Sequence, residues 1–217
     1  KAFPNGIAAY GTDALRFTFC ALASTGRDIN FDMGRIEGYR NFCNKIWNAA
    51  RFIHMQVEGR TIDSTQVQPS VVDQWILSRL NYACEQANKH FSQYRFDLLA
   101  QTLYEFTWNE FCDWYVELAK TQLTNPKASE LEKNSTAHTL VTVYETILRL
   151  LHPITPYITE EIWQSIKPLL GISGESIMTQ LYPQPQEQYH CEQAEVEINL
   201  LQDVIGAIRN LRGEMNI

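Results

Sequence analysis

Wound as an α-helix at about 100° per residue, the stretch RNFCNKIWNAARFIHM (Arg40 to Met55) gathers most of its apolar side chains on one side. With the turn before it, Ile36, Tyr39, Cys43, Ile46, Trp47, Ala50 and Ile53 form a single stripe. Phe52 falls on the opposite face, in line with Asn41, Lys45 and Asn48 at spacings of four, three and four. The same periodicity organises the rest of the chain. Residues 1–11 read as a loop with FPNG as its turn. Thr12 as N-cap and Asp13 in a first turn then open a compact apolar helix, DALRFTFCALA, that ends near Gly26. After a short extended link, RDINF, Asp32 caps the second helix, which runs to about Met55. Residues 59–69 are a polar loop. A third helix is predicted from Ser70 to about Tyr94, with Trp75, Leu77, Leu80 and Cys84 among polar neighbours, and a fourth from Phe96 to about Gln122. NPKASELEKNS is a charged loop, and Ala137 to His152 forms a fifth helix stopped by Pro153. Thr155 then caps a helix whose first residue is Pro156, the favoured place for proline. LYPQPQEQ is irregular, and a last helix from about Gln193 to Arg212 sets Ile198, Leu201, Ile205, Ile208 and Leu211 on one side. Long amphipathic helices joined by short loops predict an all-α fold, an antiparallel helical bundle with a short irregular N-terminal segment.

Composition agrees with that pattern. Hydrophobic residues make up 45% of the 217 and aromatics 12%, enough for a proper core, while ten glycines and eight prolines are too few to punctuate a sheet protein. No apolar run approaches the roughly 18 residues that cross a bilayer, and no signal peptide is visible, so a soluble cytosolic protein is expected. The chain starts at Lys1 rather than methionine and stops at RGEMNI, as a piece cut from a larger protein would. Its five cysteines are scattered without a C-x-x-C pair and its five histidines are isolated, so no metal site is expected.

Charge changes the picture locally. The net of −7 speaks against indiscriminate binding of nucleic acid. Residues 1–60, however, hold eight Lys and Arg against five Asp and Glu, a net of +3, leaving −10 for the remainder. A polyanion would meet the N-terminal quarter first.

Motifs for catalysis are absent: there is no Gly-rich phosphate loop, no H-E-x-x-H and no serine elbow. Glu110, Asp113 and Glu117, spaced three and four on the fourth helix, are expected to share one face. Three readings are open for them: ion pairs across the bundle, a divalent metal site, or acceptors for the amino group of an exposed cytosine or adenine. Phe52 has two. A covering helix could make it core, but Asn41, Lys45 and Asn48 would then be buried too, and an unpaired buried lysine is costly. Alternatively the row is a ledge for unpaired RNA bases, with the ring stacking, the amides reading base edges and the lysine holding phosphate. Arg35 and Arg51 on either flank widen its basic surface. A helical protein-interaction module, with Phe52 as its hot spot, is the rival from another class.

Five segments, in order, resemble the bacterial valyl-tRNA synthetases among the class I aminoacyl-tRNA synthetases: GTDALRF (Gly11 to Phe17), LASTGRDINFDMGRIEGYRNFCNKIWNAARF (Leu22 to Phe52), YEFTWNEFCDWYVELAK (Tyr104 to Lys120), LRLLHPITPYITEEIWQ (Leu148 to Gln164) and IRNLRGEMNI (Ile208 to Ile217). The resemblance implies an anticodon-binding domain cut from a longer enzyme. Its partner would be valine tRNA through the anticodon stem-loop, in the cytoplasm, as a monomer. The parent enzyme would use ATP and Mg2+ to join valine to that tRNA and would edit mischarged threonine elsewhere, because a hydrophobic valine pocket rejects threonine only weakly. H-I-G-H and K-M-S-K-S motifs do not occur in these residues, so the fragment itself is expected to carry no cofactor and no catalytic or metal site. The family's anticodon contacts carry over to Lys45, Phe52, Val116 and Glu117. A further basic position falls on Gly34 here; Arg35, next to it, points about 100° away. With the row itself, the candidate anticodon-binding residues are Arg35, Asn41, Lys45, Asn48, Phe52, Val116 and Glu117. Residues 1–31 are expected to link from the catalytic domain and touch the tRNA stem, 32–190 to form the bundle, and 191–217 to lead out as a C-terminal helix.

Overall fold

The computed structural model describes residues 8–24, 26 and 31–215; the FPNG turn and residues 27–30 of the RDINF link lie outside them. Eight α-helices are described: α1 (Thr12–Leu22), α2 (Met33–Val57), α3 (Val71–Ser92), α4 (Phe96–Glu105), α5 (Val116–Thr124), α6 (Glu130–Leu151), α7 (Pro156–Ile166) and α8 (Glu192–Glu214). No strand occurs among the described residues, and none of the described helices is long and apolar enough to cross a membrane. The fold is the all-α bundle that the periodicity predicts.

Local chemistry sets most boundaries. The Asp32 carboxylate accepts from the Gly34 amide at 2.9 Å, the expected cap of α2. Ser70 and Asp73 form a reciprocal capping box on α3. Three expectations need correction. Gly11, at φ 93°, stands at the N-cap of α1, and Thr12 is its first helical residue. The Thr155 hydroxyl does not cap α7; it donates to the Leu151 carbonyl at 3.2 Å. The charged loop after Asn125 is short because α6 begins at Glu130, where Ser129 and Glu132 make a second capping box. That S-x-x-E signature was legible in the sequence and outweighs the polar composition that argued for a loop.

The predicted fourth helix is helical throughout but not regular. Between α4 and α5, residues Phe106–Tyr115 wind as a π-helix. A turn closed by i→i+5 bonds holds more residues than an α-turn, so each residue turns through less than 100°. Side chains spaced for one α-helical face therefore fan out.

Helices α3 and α4, α5 and α6, and α6 and α7 are joined by short connections and pack on each other, as antiparallel neighbours do. α1 lies on α2 and α4, with Phe17 wholly buried, so residues 12–22 pack into the same core as the bundle proper. That core holds Trp75, Trp163, Tyr115, Tyr144, Phe42 and Phe111. Burying each such ring stabilises the fold by some 1.5–3 kcal/mol. α8 contributes Ala194 and Ile198 against α3, whereas Leu201, Ile208 and Leu211 of its expected apolar side are exposed.

The core face of α2 is turned from the expected stripe. Ile36, Ile46, Ala50 and Ile53 are buried and Tyr39 and Cys43 half-buried, but Trp47 is 44% exposed, and Phe42, outside that stripe, is completely covered. The cause lies on the neighbouring segment. Tyr104 and Trp108 place their rings 4.9 and 6.2 Å from Phe42, drawing α2 round toward the π-helix.

Candidate nucleic-acid interface

Where α2 crosses the end of the π-helix and the start of α5, the two leave a hollow of about 220 Å³. Its walls are Lys45, Asn48, Ala49 and Phe52 from α2, and Cys112, Val116 and Glu117 from the other side. Phe52 is half-buried, packed against the core and also forming part of the wall of the hollow. It is not sealed beneath another helix, and Asn41 and Asn48 are exposed, so the covered-core reading of the row does not hold. Ala49 leaves room that a larger side chain would fill. Cys112 sits on the buried side, where desolvation pushes its thiol up to about 12 and keeps it uncharged at neutral pH. The hollow thus has a neutral floor and charged groups only at its rim.

Lys45 is less free than its position on the helix implies. Its ammonium donates to Asp113 Oδ1 at 2.6 Å and lies 5.1 Å from the centre of the Trp108 ring. Both side chains keep a third or more of their surface, 33% and 43%, so the pair is a solvent-screened one that fixes direction more than it adds stability. Glu117, on the facing helix, has only Lys120, at 4.0 Å, as an ion-pair partner among the described residues and remains open.

The row of acids separates, as the π-turn requires. Glu110 takes a bidentate pair of bonds from Arg79 at 2.7 and 3.0 Å, Asp113 takes Lys45, and Glu117 borders the hollow. Ion pairing across the bundle accounts for the first two. Among the described residues no group of three or more His, Cys, Asp or Glu is placed to hold a metal ion.

Of the seven candidate residues, Lys45, Asn48, Phe52, Val116 and Glu117 meet in this hollow. Asn41 is exposed on α2 outside it. Arg35 is elsewhere: ten residues before Lys45, hence roughly 15 Å along the axis, it lines a separate hollow of about 700 Å³ with Tyr39, Asp97, Gln101 and Tyr104. Sequence reasoning missed Cys112, Asp113 as the partner of Lys45, and Ala49. Asp113 was visible as an acid on the facing helix, but its partner depends on how two distant segments pack.

Residues 73–217 match the family model for the anticodon-binding domain of tRNA ligase. The chain belongs to that family. At full length it is similar to the valine–tRNA ligases of Coxiella burnetii, at 57% identity over 218 residues, and Acinetobacter baylyi, at 54% over 220. All of this chain is covered in both alignments, against 24% and 23% of those two proteins, so the anticodon-binding domain spans about a quarter of their length. Among solved structures it resembles the LeuRS of Agrobacterium radiobacter K84, crystallised as a ternary complex with tRNA and LeuAMS. That likeness has a TM-score of 0.60 at 16% identity over 84% of this chain and 20% of the other, and it concerns the fold alone. The family match covers α3 to α8; α2, which supplies half of the hollow in this anticodon-binding domain, lies before it and is covered by the valine–tRNA ligases.

Proposed function

We propose that this chain is the part of a cytoplasmic, monomeric valine–tRNA ligase that holds the anticodon of valine tRNA. In this reading the whole enzyme uses ATP and Mg2+ to attach valine to its tRNA, with the chemistry and its editing in domains outside these residues. Residues 1–31 lead in from the catalytic domain along the tRNA stem, 32–190 bind the anticodon loop, and 191–217 lead out. The observation that carries the proposal is the hollow itself. An aromatic wall, an amide, an open carboxylate and a lysine surround a space of about 220 Å³, a size suited to one base. Phe52 stacks on that base, Asn48 and Glu117 meet its edge, and Lys45 holds phosphate or base beside it. Glu117 favours a base with an exocyclic amino group, since a carboxylate accepts but cannot donate. Arg35, in its separate hollow, contacts a different part of the same RNA.

Filter binding of valine tRNA against a copy altered only in the anticodon tests this reading. A loss of at least tenfold with the altered copy is expected; equal affinity, with unrelated RNAs competing as well, would instead favour the protein-interaction module. A second expectation follows from the ion pair at the rim. Asp113→Asn frees Lys45 for phosphate and should steepen the dependence of log affinity on log salt by up to about one unit. An unaltered slope would remove Lys45 from the phosphate contacts.

A further inference from the structure

The exposed tryptophan of α2 lies on a face that the hollow does not use. Of the five tryptophans, Trp75 and Trp163 are buried, Trp108 and Trp114 half-buried, and Trp47 alone shows 44% of its surface. With Asn44 one turn before it and Arg51 one turn after, it forms a row about 100° round the helix from Lys45, Asn48 and Phe52. This side of the protein is basic although the whole is acidic. α2 holds Arg35, Arg40, Lys45 and Arg51 against Glu37 alone, a net of +3 in a chain of −7. Arg40 is paired with Glu37 and Lys45 with Asp113, whereas Arg51 is exposed and has no ion-pair partner among the described residues.

Beside this row, the start of α1, the middle of α2 and the start of α7 enclose a hollow of about 330 Å³, with Asn44, Arg40, Tyr10 and Tyr157 on its wall. The Arg40 guanidinium sits 5.5 Å from the Tyr10 ring centre, and Tyr157 is 66% exposed. The acid of this hollow, Asp13, is buried and directed at the N-terminus of α7, accepting the amides of Tyr157 and Ile158 at 3.4 and 2.7 Å. Its charge is thereby spent on the fold and not presented to a ligand.

An exposed indole between an amide and an unpaired guanidinium is the equipment for a nucleotide: a face to stack on, a donor for a base edge and a cation for phosphate. A protein contact centred on tryptophan is ringed by side chains that exclude water; here Cys43 and Ala50 turn toward the core, and the exposed neighbours one turn away are Asn44 and Arg51, an amide and a cation. We propose that RNA crosses the exposed side of α2, with one unpaired base in the Phe52 hollow and a second nucleotide of the same strand stacked on Trp47, its phosphate on Arg51. The inference rests on the anticodon-binding reading and extends it to the neighbouring exposed face of the helix. Two rows about 100° apart on a helix about 10–12 Å across are closer than that width, a gap that a few unpaired nucleotides can span.

The test is binding of valine tRNA to the 217-residue chain and its variants. Trp47→Ala should lower affinity roughly 5- to 100-fold, and Trp47→Phe should restore most of it. Tryptophan emission of the parent chain should be quenched on RNA binding, and that quenching should shrink in Trp47→Phe. Arg51→Gln, at an exposed position that leaves packing untouched, should reduce the salt slope by about one unit. If Trp47→Ala loses helix content, the quenching and the Arg51 slope decide. Parent-like affinity, quenching and slope in these variants, with Phe52→Ala still weakened, would overturn the second contact and leave the anticodon reading standing. Absence of RNA binding by the parent chain would overturn both.

Discussion

Replacing Phe52 with alanine is expected to weaken binding of valine tRNA by roughly 5- to 100-fold, because stacking of one base on an aromatic side chain is worth about 1–3 kcal/mol. The ring has two roles that this substitution removes together. The side chain also packs on the core, so truncation costs stability, on the order of 1–2 kcal/mol for a half-buried side chain. The fold should survive that, with helix content near the parent's. Phe52→Leu separates the roles: it keeps most of the apolar contact but offers no π face. It should unfold close to the parent and still bind tRNA weakly, whereas Phe52→Tyr should bind well. Parent-like affinity in Phe52→Ala, measured where the variant is fully folded, would remove the stacking contact from the proposed mechanism.

The largest effect on stability is expected at Asp73. Its carboxylate is 1% exposed and serves three helices at once. It accepts the Ser70 amide and hydroxyl at 3.0 and 2.8 Å, closing the capping box of α3; the Tyr115 hydroxyl at 2.6 Å, from the end of the π-helix; and the Thr136 hydroxyl at 3.3 Å, from α6. Burial, together with the adjacent carboxylate, holds the Tyr115 phenol well above its ordinary value, so that it stays protonated and donates. Asp73→Ala removes the shared acceptor and strands buried donors on two other elements. Leaving buried polar groups without partners, with the cap lost as well, should cost about 3–5 kcal/mol. At about 2–4 °C per kcal/mol for a chain of this size, the midpoint of thermal unfolding should fall by roughly 6–20 °C. Asp73→Asn keeps a carbonyl acceptor and should lose less than half as much. A fall of under about 2 °C in the alanine variant would show that the network contributes little. The site depends on this network indirectly, since Tyr115 precedes Val116 and Glu117 on the wall of the hollow.

Several parts of this molecule were legible in the order of its residues. The S-x-x-D and S-x-x-E boxes at Ser70 and Ser129, the cap at Asp32 and the proline at the start of α7 are local signals. Each involves groups within a few residues of one another, so their geometry follows once a helix forms. The alignment of Lys45, Asn48 and Phe52 is of the same kind. Helical winding alone puts them on one side, and they do line one hollow.

What the spacing left undecided is which way each helix turns toward its neighbours. α2 carries apolar side chains around much of its circumference, so periodicity offers more than one possible core face. Tyr104 and Trp108, more than 50 positions away in the chain, select the face with Phe42 and leave Trp47 outside. The π-helix is the other decision made by packing. Its sequence, FTWNEFCDWY, reads as an ordinary α-helical stretch, and only its wider turns send Glu110 to Arg79 and Asp113 to Lys45 while Cys112, Val116 and Glu117 close the hollow. By itself, then, the sequence determined an all-α chain, the cap at Asp32, its family and the polar row on α2. Tertiary structure alone decided that Lys45 is held by Asp113, that Arg35 stands apart from Phe52, and that an indole faces outward. The reason is one of range: a helix encodes its own faces every 3.6 residues, but the side chains that choose among those faces come from segments the local pattern cannot see.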